Sequence, residues 1–150
     1  MEKVYFHPVH SKPNNGEHPY PLIEMTQEFE RALNLLEKTS SHLFITGKAG
    51  TGKSTLLELF RKNTSKQVVV LAPTGVAALN VKGQTIHSFF NFRPDITLDK
   101  VEKLHSDLID IYQRVETIII DEISMVRAEL LDCVDRFLRL NCKKRGKPFG

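Results

Sequence analysis

The stretch Gly47-Lys48-Ala49-Gly50-Thr51-Gly52-Lys53-Ser54 constrains this chain more than any other. It satisfies G-x-x-x-x-G-K-[ST], the spacing of a phosphate-binding P-loop. The flanks agree with it. His42-Leu43-Phe44-Ile45 before it reads as a strand, and Thr55-Leu56-Leu57-Glu58-Leu59-Phe60 after it reads as a helix with an apolar face. Glycines at 47, 50 and 52 let the backbone curl so that successive N–H groups point inward at phosphate oxygens. The helix opening near Lys53 adds the positive end of its dipole. In such a loop Lys53 reaches the β- and γ-phosphates and the Ser54 hydroxyl ligates Mg²⁺. The nucleotide cradle is therefore expected to run from Gly47 to Thr55, with Lys48, Ala49, Gly50, Thr51 and Gly52 supplying backbone.

At 150 residues the chain is the size of one domain and can bury a real core. With 41% hydrophobic and 26% charged residues it has an ordinary globular composition. The net charge, 21 − 18 = +3, is too mild to announce nucleic acid by itself. Lys143, Lys144, Arg145 and Lys147, like Arg61, Lys62 and Lys66, read as solvated surface. Cys133 and Cys142 form no CxxC pattern, so neither a metal site nor a disulfide framework is indicated. Free thiols fit a reducing compartment. No apolar run reaches membrane-spanning length, and residues 1–25 lack the apolar core of a signal peptide. The expected location is the cytoplasm, or the nucleus or mitochondrion in a eukaryote, with no membrane partner.

Residues 1–24 carry Pro8, Pro13, Pro19 and Pro21 around Asn14-Asn15-Gly16 and are expected to form an irregular arm. His7, His10 and His18 lie there with nothing to fix their geometry. From residue 25 onward a domain is expected. Thr26 reads as a helix N-cap, with Phe29, Leu33 and Leu36 on one face. The P-loop helix should run to about Lys62. Gln67-Val68-Val69-Val70-Leu71 reads as a second strand, and after Gln67 its run is continuously apolar, as a parallel strand covered on both faces should be. Residues 72–90 read as a loop, a short helix, a turn and another short helix. The spacing of Val101, Leu104, Leu108, Ile111 and Tyr112 predicts one amphipathic helix over 99–114. Glu116 to Asp121 forms a third strand, and a last helix spans 127–141 with Leu130, Leu131, Val134, Phe137 and Leu138 turned inward. Strands alternating with helices predict a three-layer α/β domain built on a parallel sheet.

The third strand ends in Asp121-Glu122. Ligands of open α/β sheets bind at the carboxyl ends of the strands. There Asp121 is placed to hold Mg²⁺, and Glu122 to orient and deprotonate an attacking water. An acidic pair after a strand says little alone, since helix N-termini attract acids anyway. Together with a P-loop about 70 residues upstream it points to ATP hydrolysis rather than to phosphate transfer onto another hydroxyl.

The strings FITGKAGTGKSTLL, APTGVAALNVKGQTIHSFF and IIIDEISMV, in this order, resemble the Pif family of DNA helicases, superfamily-one enzymes of the 5′-to-3′ type. The middle string is the most specific, because a generic P-loop ATPase has no reason to carry it. The resemblance implies a RecA-like P-loop domain of an ATP- and Mg²⁺-dependent motor. That motor would act as a monomer, moving along single-stranded DNA and unwinding duplex and forked DNA. The roles it implies are DNA repair, recombination and telomere or mitochondrial genome maintenance. It assigns Lys53, Asp121 and Glu122 to catalysis, and Ser54 and Asp121 to the metal. Gln27 falls about where such helicases place an adenine-reading glutamine. Backbone contacts to DNA are implied for Pro73, Thr74, Gly75, His87 and Ser88. A Thr-Gly turn offers N–H and hydroxyl donors to phosphate, and Phe89 or Phe90 could stack on a base. Core packing is the competing reading of both phenylalanines, and a P-loop ATPase or nucleotide-binding module without helicase activity is the competing reading of the chain.

The later helicase motifs, the second RecA-like domain and its arginine finger are expected beyond Gly150, so this stretch alone is expected to be inactive. In Pif-type helicases a strand between the P-loop strand and the Asp-Glu strand follows a segment like residues 145–150. The sheet is therefore expected to be incomplete. Residues 43–46 and 116–121 should not share a ladder, while 67–71 should lie beside 116–121.

Overall fold

The computed structural model describes residues 2–6, 26–105, 109–142 and 146–150, the first five by backbone alone. They fall into two compact units, residues 1–65 and 66–150.

In the first unit, strand β1 (Glu2–Phe6) pairs in parallel with β2 (Leu43–Gly47), in a register that runs from Glu2 opposite Leu43 to Phe6 opposite Gly47. This corrects the expectation of an irregular arm for residues 2–6. The prolines that argue for irregular chain all follow Phe6, and Val4, Tyr5 and Phe6 are strong strand formers. The rest of the arm, with His7, His10 and His18, lies outside the described residues. Helix α1 (Gln27–Lys38) opens as expected, with the Thr26 hydroxyl accepting from the Phe29 amide at 3.2 Å. Its apolar stripe buries Phe29 and Ala32 against Leu56 of α2 (Lys53–Asn63), with Leu33, Leu36, Ile45 and Leu59 around them. Fully burying a side chain such as Phe29 or Leu56 is worth about 1.5–3 kcal/mol, so this seam fixes α1 against the helix that follows the P-loop.

In the second unit, β3 (Val68–Ala72) lies between β4 (Gln84–Thr85) and β5 (Thr117–Ile120), all parallel. Val68 faces Thr117 and Leu71 faces Ile120, so the pairing of 67–71 with 116–121 is as expected. Among the described residues β2 pairs only with β1, and no ladder joins residues 43–46 to 116–121. Between β3 and β4 runs the short helix α3 (Gly75–Asn80), and α4 (Ile86–Phe90) follows β4 directly. Helix α6 (Ala128–Asn141) turns Leu130, Val134, Phe137 and Leu138 inward, and they pack with Leu71, Ile86, Phe90, Val101 and Tyr112.

The single helix expected over 99–114 is replaced by a 3₁₀ turn at Leu98–Lys100, extended backbone at Val101, and α5 (Ile109–Arg114), with 106–108 outside the described residues. The Asn141 side chain explains the break. It accepts from the Leu104 amide at 2.8 Å and donates to the Glu102 carbonyl at 3.4 Å, groups that a helix would have paired internally. Ile111, expected inside, is 54% exposed, whereas Val101 and Tyr112 are buried.

Candidate active site and DNA-facing segment

The P-loop leaves β2 at Gly47 and enters α2 at Lys53. Gly50 and Gly52 have φ of 76° and 89°, the left-handed region that disfavours any side chain. At Gly50 backbone conformation alone demands glycine, since an added Cβ would meet nothing within 4 Å. Gly52 is the N-cap of α2, and its carbonyl accepts from Leu56 N at 2.9 Å. The buried Thr51 hydroxyl donates to the Lys48 carbonyl at 2.9 Å and closes the curl. The Lys53 ammonium donates to the carbonyls of Gly47 at 2.8 Å and Lys48 at 2.9 Å. Gly50 to Thr55 line a cavity of about 230 Å³. No acidic residue stands in the first turn of α2, so the positive end of that helix faces the loop uncompensated. Gln27 is exposed at the first position of α1, and the Phe29 ring lies 3.8 Å from where a Cβ on Gly52 would sit. The start of α1 therefore adjoins the loop.

In the second unit the ladder between β3 and β5 carries one step past Ile120, where Asp121 N donates to the Leu71 carbonyl at 2.9 Å. That bond anchors the half-buried aspartate at the carboxyl end of the sheet. The chain then reverses. Glu122 is exposed with φ 50° and ψ 41°, a left-handed conformation rare for a residue with a long side chain. Its carbonyl accepts from Met125 N at 2.9 Å and starts the 3₁₀ turn Ile123–Met125. Nothing in the sequence signals this backbone state.

Because Leu71 faces Ile120 and Ala72 faces Thr85, the segments after β3, β4 and β5 leave the same end of the sheet. Pro73, Thr74 and Gly75 lead into α3, where the Thr74 hydroxyl accepts from Ala77 N at 3.2 Å. Thr85 caps α4 in the same way, its hydroxyl 3.1 Å from Ser88 N. Ser88 is exposed. His87 is half-buried, and its Nε2 atom is buried without a hydrogen-bond partner. The half-buried Phe89 ring meets Phe90 edge-on at 4.9 Å and Tyr112 at 5.4 Å, and so packs against the core cluster to which Phe90, 2% exposed, belongs.

Residues 24–150 match the PIF1-like helicase family. The chain belongs to that family. Among its PIF1-like relatives, the ATP-dependent DNA helicase RRM3 of Saccharomyces cerevisiae is 36% identical over 137 residues, covering 85% of this chain and 19% of that protein. The ATP-dependent DNA helicase Pif1 of Bdellovibrio bacteriovorus is 38% identical over 138 residues, covering 88% of this chain and 31% of that protein. The chain thus spans under a third of the length of these curated relatives. A Bacteroides Pif1 helicase solved in complex with ADP-AlF3 and single-stranded DNA matches with a TM-score of 0.76 at 38% identity, over 85% of this chain and 30% of that one. The fold is thereby that of a RecA-like α/β domain with a parallel sheet.

Two features of this PIF1-like domain escape the sequence reading. Val76 and Leu79 on α3 are 73% and 79% exposed although apolar spacing alone would place them inside. Tyr112, assigned only to an apolar helix face, also donates its hydroxyl to the Phe89 carbonyl at 2.9 Å. Aromatic spacing at 89, 90, 92, 112 and 137 was the available signal, but only the fold brings those rings together.

Proposed function

We propose that this PIF1-like chain is the ATP-binding motor domain of a DNA helicase, coupling ATP hydrolysis to 5′-to-3′ movement on single-stranded DNA and to unwinding of duplex and forked DNA. The observation that carries the reading is the glycine-curled loop with the Lys53 ammonium across its mouth, in a chain matching PIF1-like helicases over residues 24–150. In this reading the amides of Gly47 to Thr55 cradle the phosphates, Lys53 neutralises them, and Gln27 selects adenine. Ser54 and Asp121 offer hard oxygen donors of the kind Mg²⁺ prefers, and would hold it. The bound ion would neutralise charge on the transferred phosphate. Glu122 orients and deprotonates the attacking water. Thr74, His87 and Ser88, with Pro73 and Gly75, contact the DNA backbone, which makes binding independent of sequence. The motor acts as a monomer inside the cell, in DNA repair, recombination and telomere or other genome maintenance. Among the described residues no helix is long and apolar enough to cross a membrane.

Titration of the chain with a fluorescent ATP analogue in Mg²⁺, and separately with a fluorescein-labelled oligo-dT, tests this. Both ligands should bind, with Lys53→Ala losing the first and keeping the second. A wild-type chain that binds neither would overturn the assignment.

A further inference from the structure

Helix α4 has five residues, too few to hold a conformation unaided, so contacts from outside must fix where it sits. Its N-terminus is held by the Thr85 cap. At its C-terminus the His87 carbonyl accepts from Phe92 N at 2.8 Å and the Ser88 carbonyl from Asn91 N at 3.3 Å. The Phe89 carbonyl takes its hydrogen bond from another element, the Tyr112 hydroxyl of α5 at 2.9 Å. The Tyr112 ring is wedged in place, edge-on to Phe89 and Phe137 and stacked with Phe90 at 6.1 Å and 10°. With the ring so confined, the hydroxyl has little freedom and dictates the position of the carbonyl it meets. Burial raises the pKa of the phenol, so it stays a donor across the neutral range.

We propose that Tyr112 is a positioning residue for the DNA face: its bond to the Phe89 carbonyl sets the seat of α4, and so the presentation of His87 and Ser88 to a single-stranded DNA backbone. The inference rests on the reading of His87 and Ser88 as DNA contacts. It goes beyond that reading by assigning the accuracy of the contact to a buried hydroxyl that touches no ligand. Tyr112→Phe keeps the aromatic cluster and removes only that donor. The orphaned carbonyl then seeks another partner and the last turn of α4 shifts.

The test uses fluorescence anisotropy with a fluorescein-labelled oligo-dT, a fluorescent ATP analogue, and thermal melting by circular dichroism. At a temperature where both proteins are fully folded, Tyr112→Phe should weaken oligo-dT binding about two- to tenfold, the range set by one neutral hydrogen bond. Affinity for the ATP analogue should stay within about twofold. In a His87→Ala, Ser88→Ala background the same substitution should add less than about twofold, because misplacing absent side chains costs nothing. A lowered melting temperature with unchanged oligo-dT affinity would assign Tyr112 to stability alone and overturn the proposal. So would an equal loss in both backgrounds. Failure of the underlying reading looks different. There the His87→Ala, Ser88→Ala protein binds oligo-dT as wild type does, and the proposal falls with it.

Discussion

Lys53 donates its ammonium to the carbonyl of Gly47 at 2.8 Å, bridging back across the loop to the last residue of β2. A second bond, to Lys48 at 2.9 Å, keeps the charge over the curl instead of in bulk solvent. The lysine therefore ties the two ends of the loop together, and in the proposed site it also supplies the charge for phosphate. Lys53→Ala should remove both contributions, weakening a fluorescent ATP analogue by about 100-fold or more, since a charged hydrogen bond is worth roughly 1.5–3 kcal/mol and a fixed charge adds to it. The circular dichroism spectrum should not change. Equal affinity in wild type and Lys53→Ala would sink the nucleotide-site assignment.

Gly83 marks the point where the turn after α3 presses against β3. Its amide donates to the Ala78 carbonyl at 2.8 Å, and an added Cβ would run into the carbonyl oxygen of Val70. Neither partner can yield, since both are backbone. Gly83→Ala should cost about 1–3 kcal/mol or more in urea unfolding. Gly75→Ala, at a position where a Cβ meets nothing within 4 Å, serves as the control and should cost less than about 1 kcal/mol. Similar stability for the two variants would refute the close approach.

The contrast between these glycines shows where sequence runs out. The P-loop was legible because its chemistry is local: strand, glycines, lysine and helix are consecutive, and the fold had only to curl them. Thr26 as a cap and the apolar run of 68–71 were legible for the same reason. Periodicity over 99–114 misled because it carries no information about Asn141, whose amide captures backbone groups 37 and 39 residues away. Phe89 was ambiguous because an aromatic residue beside candidate DNA contacts has the same spacing whether it faces a base or Tyr112. The strand at 2–6 was hidden by prolines that lie after it.

Asn141 is 2% exposed and serves three backbone groups, Leu104 N, the Glu102 carbonyl and the Phe137 carbonyl at 2.9 Å. Asn141→Ala strands a buried amide with no partner. A loss of about 1–3 kcal/mol is expected, with faster hydrogen exchange at Leu104 than at the Asp121 amide of the β3–β5 ladder. Unchanged exchange at Leu104 would mean that water substitutes for the side chain and that the break at 101–105 has another cause.

Thr74 serves α3 as a cap, so a loss of DNA binding in Thr74→Ala alone would be ambiguous. The alanine should lower stability by about 0.5–2 kcal/mol. Thr74→Ser keeps the hydroxyl and should restore both stability and oligonucleotide affinity. His87→Ala leaves both caps intact and should weaken binding to the same extent for oligo-dT and mixed-sequence strands, as phosphate or sugar contacts require. A loss confined to one sequence, read by anisotropy, would recast His87 as a base reader.

Glu122 holds a left-handed backbone at φ 50°, which costs a residue with a Cβ about 1–3 kcal/mol unless the surroundings enforce it. The surroundings here are the Asp121 amide on Leu71 before it and the Met125 amide on the Glu122 carbonyl after it, both at 2.9 Å. The strain is thus stored at the residue proposed to activate water. Glycine adopts this conformation freely but gains about 0.4–1 kcal/mol of unfolded-state entropy, so only part of the strain should return as stability. Glu122→Gly is accordingly expected to be more stable than Glu122→Gln by roughly 0.5–2 kcal/mol. Both should bind the ATP analogue as the unsubstituted chain does, because neither change falls within the P-loop. Urea unfolding of the two variants side by side reads the difference, with glutamine keeping the Cβ and the size of the native side chain. If the glycine variant unfolds at lower urea than the glutamine variant, Glu122 does not carry backbone strain, and the link between its conformation and its chemistry is lost.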